Sequence, residues 1–409
     1  MMVEFTKTTL GDCISTIIDY RGKTPKKLGG DWANEGYRAF SAKNIKTGQI
    51  VNPESIRYID ENLYKSWMKE EIKRGDIIIT SEAPFGEIYY WDCDEKIVLS
   101  QRLFAIRCAV GYYSKFIYYS MASPSFQSEL KNRATGTTVF GLRQPELLKC
   151  ELEVPDYPTQ VKIASILSSL DDKIELNTRM NNVLEEIARA LFHRWFVEFE
   201  FPNAEGKPYK SAGGKMVESE MGSVPEGWKV GTVGDICYRK RNLVEPDSLE
   251  EKLPYVGLEH MPQHHMVLDR WGSSGDIMST KISFTENDIL FGTLRPYFHK
   301  VGLSPINGIC STDILVGSSI DPEYLSLVLC YLSSDEFVAY SNSASEGTRM
   351  PRAKWDHMKK YSVVIPSEEI IIQFNVIINS ILSQIKENIS MNYSLKEIQN
   401  NLLPKLMSG

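Results

Sequence analysis

Residues 163–195 read IASILSSLDDKIELNTRMNNVLEEIARALFHRW, and this stretch decides the fold. An apolar period of about 3.5 residues, sustained over more than four heptads, predicts a long helix with a coiled-coil seam. At about 1.5 Å per residue, such a helix makes a rod on the order of 50 Å long. The seam advances in alternating steps of four and three residues through Ile163, Leu167, Leu170, Ile174, Asn177, Asn181, Leu184, Ala188, Leu191 and Trp195.

The same seam occurs a second time, 211 residues later, with two asparagines at the same two steps. Segments outside the helices repeat as well. Residues 75–79 match 287–291, residues 134–137 match 345–348, and residues 152–155 match 363–366. Self-similarity at a fixed distance predicts an internal structural repeat. The second seam runs through Phe374, Ile378, Ile381, Ile385, Asn388, Asn392, Leu395, Gln399, Leu402 and Leu406.

Each repeat is predicted to be a mixed α/β domain that ends in its long helix. Short apolar runs at 76–80, 102–108 and 313–316 are typical of strands, and 114–131 and 322–340 are typical of helices. The Gly- and Pro-rich segment before the second repeat indicates a connector. We therefore predict a first domain at 1–157, a long helix at 158–198, a connector at 199–228, a second domain at 229–366 and a second long helix at 367–409.

The four seam asparagines predict how the two helices pair. One antiparallel register sets Asn177 against Asn392 and Asn181 against Asn388, so that each buried amide meets another amide. A parallel register would also match asparagine with asparagine, and two amphipathic helices packing on their own domains remain an alternative. Pro404 is expected to kink or end the second helix, which puts the Leu406 step in doubt.

Composition places the chain among soluble globular proteins. Its 409 residues allow two or three domains, and its formal net charge of −7 gives no support to a nucleic-acid partner unless cations cluster locally. The seven scattered cysteines indicate reduced thiols. We expect no signal peptide and no membrane span, and hence a cytoplasmic protein.

Motifs for catalysis are missing from the sequence. It contains no Walker-type glycine loop, no Gly-x-Ser-x-Gly and no His-Glu-x-x-His, so we predict that the chain is not an enzyme and has no catalytic residues, no metal site and no cofactor of its own. His260, His264 and His265 are expected to be surface residues. The acidic pairs at 171–172 and 185–186 are expected to lie on solvated helix faces.

Several motifs, taken in order, resemble the specificity subunit of type I restriction–modification enzymes. They are Asp19-Tyr20-Arg21-Gly22-Lys23-Thr24-Pro25, Gly75-Asp76-Ile77-Ile78, Phe199-Glu200-Phe201-Pro202, Gly206-Lys207-Pro208-Tyr209-Lys210 and Val224-Pro225-Glu226-Gly227-Trp228, together with the two long helices. The segments that lead into the helices, 155–160 and 366–369, depart from the family's usual Pro-rich, Glu-Gln-containing pattern.

The resemblance implies two target-recognition domains, each binding one half of a split, asymmetric double-stranded DNA site. It also implies that the long helices pack antiparallel as a spacer of fixed length. Two methyltransferase subunits would dock on the assembly, and restriction–translocation subunits can join it. S-adenosylmethionine and ATP would belong to those partners.

Cations and hydroxyls near the matched Gly-Thr loops and the domain starts are our candidate DNA-binding residues, because Arg forks onto guanine and Thr donates to phosphate. The alternative is that each Gly-Thr pair is only a turn before a strand. The candidates are Arg21, Lys23, Lys131, Arg133, Thr137 and Arg143 in the first domain, and Arg239, Arg295, Thr348, Arg349, Arg352 and Lys354 in the second.

Two other functions remain open from the sequence. The acidic net charge favours a coiled-coil scaffold that joins other proteins without reading DNA. A specificity subunit of a related restriction enzyme that is not type I would share the fold and differ in its partner.

Overall fold

The computed structural model describes residues 4–136, 140–245, 252–275, 279–343 and 350–408. The chain divides into two compact units. Unit 1 comprises residues 1–173 and 394–409, and unit 2 comprises residues 174–393. None of the described helices is both long and apolar enough to cross a membrane.

Unit 1 begins as a mixed α/β domain and continues into the first long helix. Its strands are β1 (Thr6–Thr9), β2 (Ile14–Asp19), β3 (Tyr37–Phe40), β4 (Ile45–Lys46), β5 (Gln49–Ile50), β6 (Arg57–Ile59), β7 (Ile77–Thr80), β8 (Ile88–Tyr90), β9 (Val98–Leu99), β10 (Leu103–Cys108) and β11 (Glu151–Val154). Its helices are α1 (Leu10–Cys13), α2 (Glu61–Trp67), α3 (Ser114–Ala122), α4 (Pro124–Asn132), α5 (Gln144–Leu148) and the start of α6 (Tyr157–Phe192).

The central sheet of unit 1 is antiparallel, with strand order β2-β10-β7-β8. A second sheet of order β6-β3-β9 packs apolar side chains against its neighbour, and β1 pairs with β11. The isoleucines of β7 are fully buried, which explains why this strand is a continuous apolar run rather than an alternating one.

Unit 2 holds the second α/β domain and most of the second long helix. Its strands are β12 (Met216–Ser219), β13 (Gly222–Pro225), β14 (Lys229–Thr232), β15 (Cys237–Lys240), β16 (Leu243–Val244), β17 (Pro254–Val256), β18 (Gly272–Ser273), β19 (Lys281–Phe284), β20 (Ile289–Gly292), β21 (Val301–Leu303), β22 (Gly308–Cys310), β23 (Ile314–Ser319) and β24 (Ser362–Ile365). Its helices are α7 (Val233–Ile236), α8 (Leu325–Leu332), α9 (Asp335–Ser343), α10 (Trp355–Met358) and α11 (Glu368–Met407), which ends in unit 1.

The two units share a topology. The sheet β15-β23-β20-β21 of unit 2 has the strand order and antiparallel pairing of β2-β10-β7-β8 in unit 1, and β14 pairs with β24 as β1 pairs with β11. The register agrees too, since Ile78 faces Ala105 and Leu290 faces Val316. Unit 2 differs by a five-stranded sheet of order β16-β19-β22-β17-β18.

A buried aspartate starts the same strand in both units. Asp76 accepts a hydrogen bond from the backbone N–H of Lys73 at 2.8 Å, and Asp288 accepts one from that of Thr285 at 2.7 Å. Each carboxylate therefore fixes the turn before β7 or β20, because it satisfies a backbone donor that the sheet does not.

The long helices pair through polar side chains in each unit. In unit 2, Asn177 Nδ2 donates to Asn392 Oδ1 at 2.8 Å, and Asn388 Nδ2 donates to Asn181 Oδ1 at 2.8 Å. These pairs run in opposite chain directions, so the two segments are antiparallel. In unit 1, Gln399 Nε2 donates to Asp171 Oδ1 at 2.8 Å.

Two expectations about local structure are wrong. Helix α11 does not end at Pro404 but continues to Met407, and Leu403, Leu406 and Met407 pack on the core of unit 1. The predicted connector contains the β12–β13 hairpin and contributes apolar side chains to the core of unit 2.

The second wrong expectation concerns Glu185, which is buried rather than solvated. Its carboxylate accepts the backbone N–H groups of Met266 and Val267 at 2.9 and 3.2 Å, and it lies 3.2 Å from His265 Nδ1. Helical periodicity placed it on an outer face, but a loop of unit 2 covers that face.

Candidate nucleic-acid interface

A basic cleft of about 480 Å³ opens in unit 1. Its walls come from the segment after β2, the ends of β7 and β9, and the loop before α5. Among the described residues that line it, Glu82 supplies one carboxylate against several cations. The cations are Arg21, Lys23, Lys27, Arg102 and Arg143. This local excess of positive charge exists in a chain whose net charge is −7.

Arg21 is held rigidly at the end of β2. Its guanidinium donates to both carboxylate oxygens of Asp19 at 3.0 and 2.9 Å and to the Leu142 carbonyl oxygen at 3.3 Å. It also lies over the Phe104 ring, 3.8 Å from the centroid. A forked and stacked guanidinium of this kind is preorganised, so little entropy is lost when it contacts an anion.

The two cleft lysines are anchored by backbone carbonyls. Lys23 Nζ donates to the Trp67 carbonyl and Lys27 Nζ to that of Gly22, both at 2.8 Å. Burial, with Lys69 nearby, lowers the pKa of Lys23. Both ammonium groups keep further N–H donors, since each has three and a carbonyl takes one.

Two side chains at the cleft have no such anchor. Neither Gln101 nor Arg143 has a side-chain hydrogen-bond or ion-pair partner among the residues that the structure describes. Their neighbour Arg102 pairs with Glu82 at 3.0 Å and has a left-handed backbone, with φ of 63°. Gln101 and Arg143 are the lining groups most available to a ligand.

The other candidates of the first domain lie outside this cleft. Arg133 pairs with Glu129 at 2.8 Å and with Glu146 at 3.7 Å. Lys131 is exposed, with Nζ 5.9 Å from the centroid of the Phe140 ring. Thr137 lies outside the described residues.

Unit 2 presents its candidates differently. The Nε atoms of Arg239 and Arg295 are buried without a hydrogen-bond partner among the described residues. Burial, with Arg241 nearby, lowers the pKa of Arg239. Arg352 is exposed and pairs with Asp313 at 2.9 Å, and Lys354 is exposed near it in the chain. Thr348 and Arg349 lie outside the described residues.

Both sets of residues are positioned by the same backbone frame. In unit 1 the Ser81 N–H donates to the Arg102 carbonyl, and the Leu142 N–H donates to the Ser81 carbonyl, both at 2.9 Å. In unit 2 the equivalent bonds join Thr293 to Asp313 at 2.8 Å and Ala353 to Thr293 at 2.9 Å.

Sequence reasoning missed Lys27, Gln101 and Arg102. The repeat distance could have revealed Arg102. It lies 211 residues before Asp313, and the two residues occupy equivalent places in the two frames. Motif spacing favoured the Gly-Thr loops instead.

A repeated frame thus presents different polar side chains in the two units, and in unit 1 these side chains line a basic cleft. The chain is similar to the specificity subunits of type I restriction enzymes, which supports a DNA-recognition subunit. The type I restriction modification DNA specificity domain matches residues 2–186.

Two known proteins similar to this chain align with most of its length. It is 26% identical to the type I restriction enzyme MjaIX specificity subunit of Methanocaldococcus jannaschii, over 86% of this chain and 81% of the relative. It is 25% identical to the HindI specificity subunit of Haemophilus influenzae, over 89% of this chain and 93% of that one. The crystal structure of the type I system S subunit from M. genitalium has the same fold, with a TM-score of 0.58, 17% identity, and 100% and 97% of the two chains covered.

Proposed function

We propose that this chain is the non-catalytic subunit that reads a bipartite, asymmetric DNA target, one half-site per unit. The long helices form an antiparallel coiled coil between two target-recognition domains and set the distance between the half-sites. Two methyltransferase subunits dock on the chain, and restriction subunits can join. S-adenosylmethionine and ATP are bound by those partners.

The observation that carries the proposal is one frame with two different surfaces. Backbone hydrogen bonds at Ser81 and Thr293 repeat between the units, whereas the side chains on those frames differ in charge and size. We call the side chains around these two frames the rims. Two domains with the same frame and different rims support recognition of two different half-sites.

Within unit 1 the cleft residues fall into two groups, one suited to phosphate contacts and one suited to base contacts. Arg21, Lys23 and Lys27 are fixed by protein acceptors and are suited to phosphates, which need position and charge but no choice of base. Gln101 and Arg143 have no side-chain partner among the described residues and can reach base edges. A Gln amide matches adenine and a guanidinium matches guanine.

The seam asparagines support a fixed spacer. Asn177 and Asn388 are almost fully buried, and their amides donate to Asn392 and Asn181 on the facing helix. A slip of the helices would leave these groups unpaired, at a cost of about 1–3 kcal/mol each. Such a penalty favours a single register of the two helices and therefore a spacer of one length.

Mapping of methylated adenines in a host that expresses this chain with its methyltransferase tests the proposal. We expect a split motif with constant spacing. Replacing residues 1–157 by those of a relative should change one half-site, and replacing residues 229–366 should change the other. Loss of both half-sites from either exchange would contradict separate reading.

The salt dependence of duplex binding distinguishes DNA recognition from the scaffold alternative. Phosphate contacts release counterions, so the affinity for duplex should fall steeply as the salt concentration rises. A complex that assembles with partners but binds duplex weakly and independently of salt and sequence would favour the scaffold, which the net charge of −7 also favours.

A further inference from the structure

Three side chains distant in sequence meet on unit 2. His264 lies in a loop, His299 follows the 3-10 helix Pro296–Phe298, and Asp335 begins α9. Their ligand atoms lie within 4.8 Å of one another. His299 Nδ1 is 3.0 Å from Asp335 Oδ1, and His264 Nδ1 is 3.9 Å from the same oxygen.

His299 is oriented so that a lone pair faces this cluster. Its side chain is only 6% exposed, and its Nε2 lies 3.0 Å from the Ser333 carbonyl oxygen. Because a carbonyl only accepts, Nε2 must carry the hydrogen and donate it. In the neutral ring, Nδ1 is then an acceptor facing the carboxylate of Asp335, which is also an acceptor.

Two acceptors at this distance need a positive charge between them. A proton on Nδ1 is one solution, and a bound cation is the other. An imidazole whose far N–H donates to a carbonyl is the usual arrangement of a metal-binding histidine.

We propose that His264, His299 and Asp335 bind a divalent transition-metal ion of the Zn²⁺ type. Two imidazoles and one carboxylate are a ligand set that suits this ion, and water would complete the coordination. Bonds of about 2.0–2.1 Å in tetrahedral geometry separate ligand atoms by roughly 3.3 Å. The two observed separations, 3.0 and 3.9 Å, lie on either side of that value.

The backbone holds two of the ligands in place. The His264 N–H donates to the His299 carbonyl at 3.0 Å, and Arg189 donates to the His264 carbonyl at 2.6 Å. Both histidines have a left-handed backbone, with φ of 56° and 49°. Such a conformation in a non-glycine residue costs energy and is commonly found at functional sites.

The ion would have a structural role next to the turn of Arg295, a candidate DNA-binding residue. It would join the loop of His264, the turn that carries Arg295, and the start of α9. The Phe298 N–H donates to the Arg295 carbonyl at 3.0 Å, so fixing His299 also restrains Arg295. Metal binding is measured without DNA, so its failure and that of the proposed function are distinguishable.

Titration of the chelator-treated full-length chain with ZnCl₂ in a calorimeter tests the site, with Co²⁺ absorption as a second readout. We expect one ion per chain and a rise in the melting temperature of unit 2 on the order of 5 °C at saturating metal. H264Q and D335N change exposed side chains and should each weaken binding more than about tenfold.

The matched control is H193Q. His193 Nδ1 lies 3.4 Å from Glu198 Oε1, but the part of the chain that the structure describes offers no third ligand there. This variant should bind Zn²⁺ like the parent chain. Absence of saturable binding in the parent, or equal binding by H264Q and D335N, would overturn the proposal.

Discussion

Units 1 and 2 place ion pairs of opposite polarity at the same point of one frame. In unit 1 the residue whose carbonyl accepts from Ser81 is Arg102, and it pairs with Glu82. In unit 2 the equivalent residue is Asp313, and it pairs with Arg352. The backbone thus tolerates a reversal of charge at its rim, as expected if the frame supplies position and the rim supplies selectivity.

In the interior the charge is kept instead of reversed. Each unit buries an aspartate before the same strand, but its counterion comes from a different strand in each unit. Asp76 is neutralised by Arg107 of β10, which also pairs with Glu70. Asp288 is neutralised by Lys240 of β15, with Ser318 donating to it at 2.7 Å. The carboxylate is required by the turn, whereas the cation can come from any adjacent strand.

Removal of an interior cation should have the largest effect. K240M leaves the carboxylate of Asp288 buried without its counterion, which typically costs about 3–5 kcal/mol. Hydrogen exchange should show faster opening of β20, while β7 in unit 1 keeps its protection. R107M should reverse this pattern.

The control is the double variant K240M/D288N, which removes both charges and should recover part of the loss. Equal destabilisation of both units by K240M alone would mean that the two cores do not open independently.

The polar contacts between the two long helices also differ between the units. In unit 2 the fully buried Asn177 depends on Asn392, whereas in unit 1 the half-buried Asp171 also accepts from the Tyr119 hydroxyl at 2.6 Å. N392L should therefore lower the free energy of unfolding by about 1–3 kcal/mol, because the Asn177 amide is left unpaired. Q399L should cost less. Urea denaturation measures both.

N177L/N392L is the matched control for the seam. Two leucines facing each other remove both polar groups, so stability should return to that of the parent or exceed it. A double variant as unstable as N392L would show that the asparagine pair is not what matters at this position.

The repeat allowed much of this architecture to be predicted from sequence. Strands β7, β10 and β23 and both long helices lie where apolar periodicity placed them, because their burial pattern is local and regular. Glu185 and Pro404 were misjudged because loop and core contacts, which periodicity does not record, decide their environments.

The site was less predictable. Arg21, Lys23 and Arg143 line the cleft, but Lys131 and Arg133 lie elsewhere, although they are close to Arg143 in sequence. Hydrogen bonds between segments distant in sequence, such as Ser81 to Arg102, build the cleft. These bonds, rather than closeness in sequence, decide which residues line it.

R143A tests a cleft cation that has no side-chain partner among the described residues. We expect a roughly tenfold loss of affinity for the cognate duplex, about 1.4 kcal/mol, since one guanidinium contact with DNA is removed. R133A is the matched control, because that guanidinium is already paired with Glu129. Fluorescence anisotropy on duplexes with either half-site altered should assign the loss to one half. A loss equal for both would contradict separate reading.

The rim pairs should contribute least to the fold. The side chains of Arg352 and Arg102 are 58% and 50% exposed, and exposed ion pairs typically contribute no more than about 1 kcal/mol. R352A and R102A should therefore leave the urea midpoint almost unchanged while altering the half-site preference of their own unit. A larger loss of stability in either variant would make that pair part of the frame, and the reversed charges would then reflect packing rather than recognition.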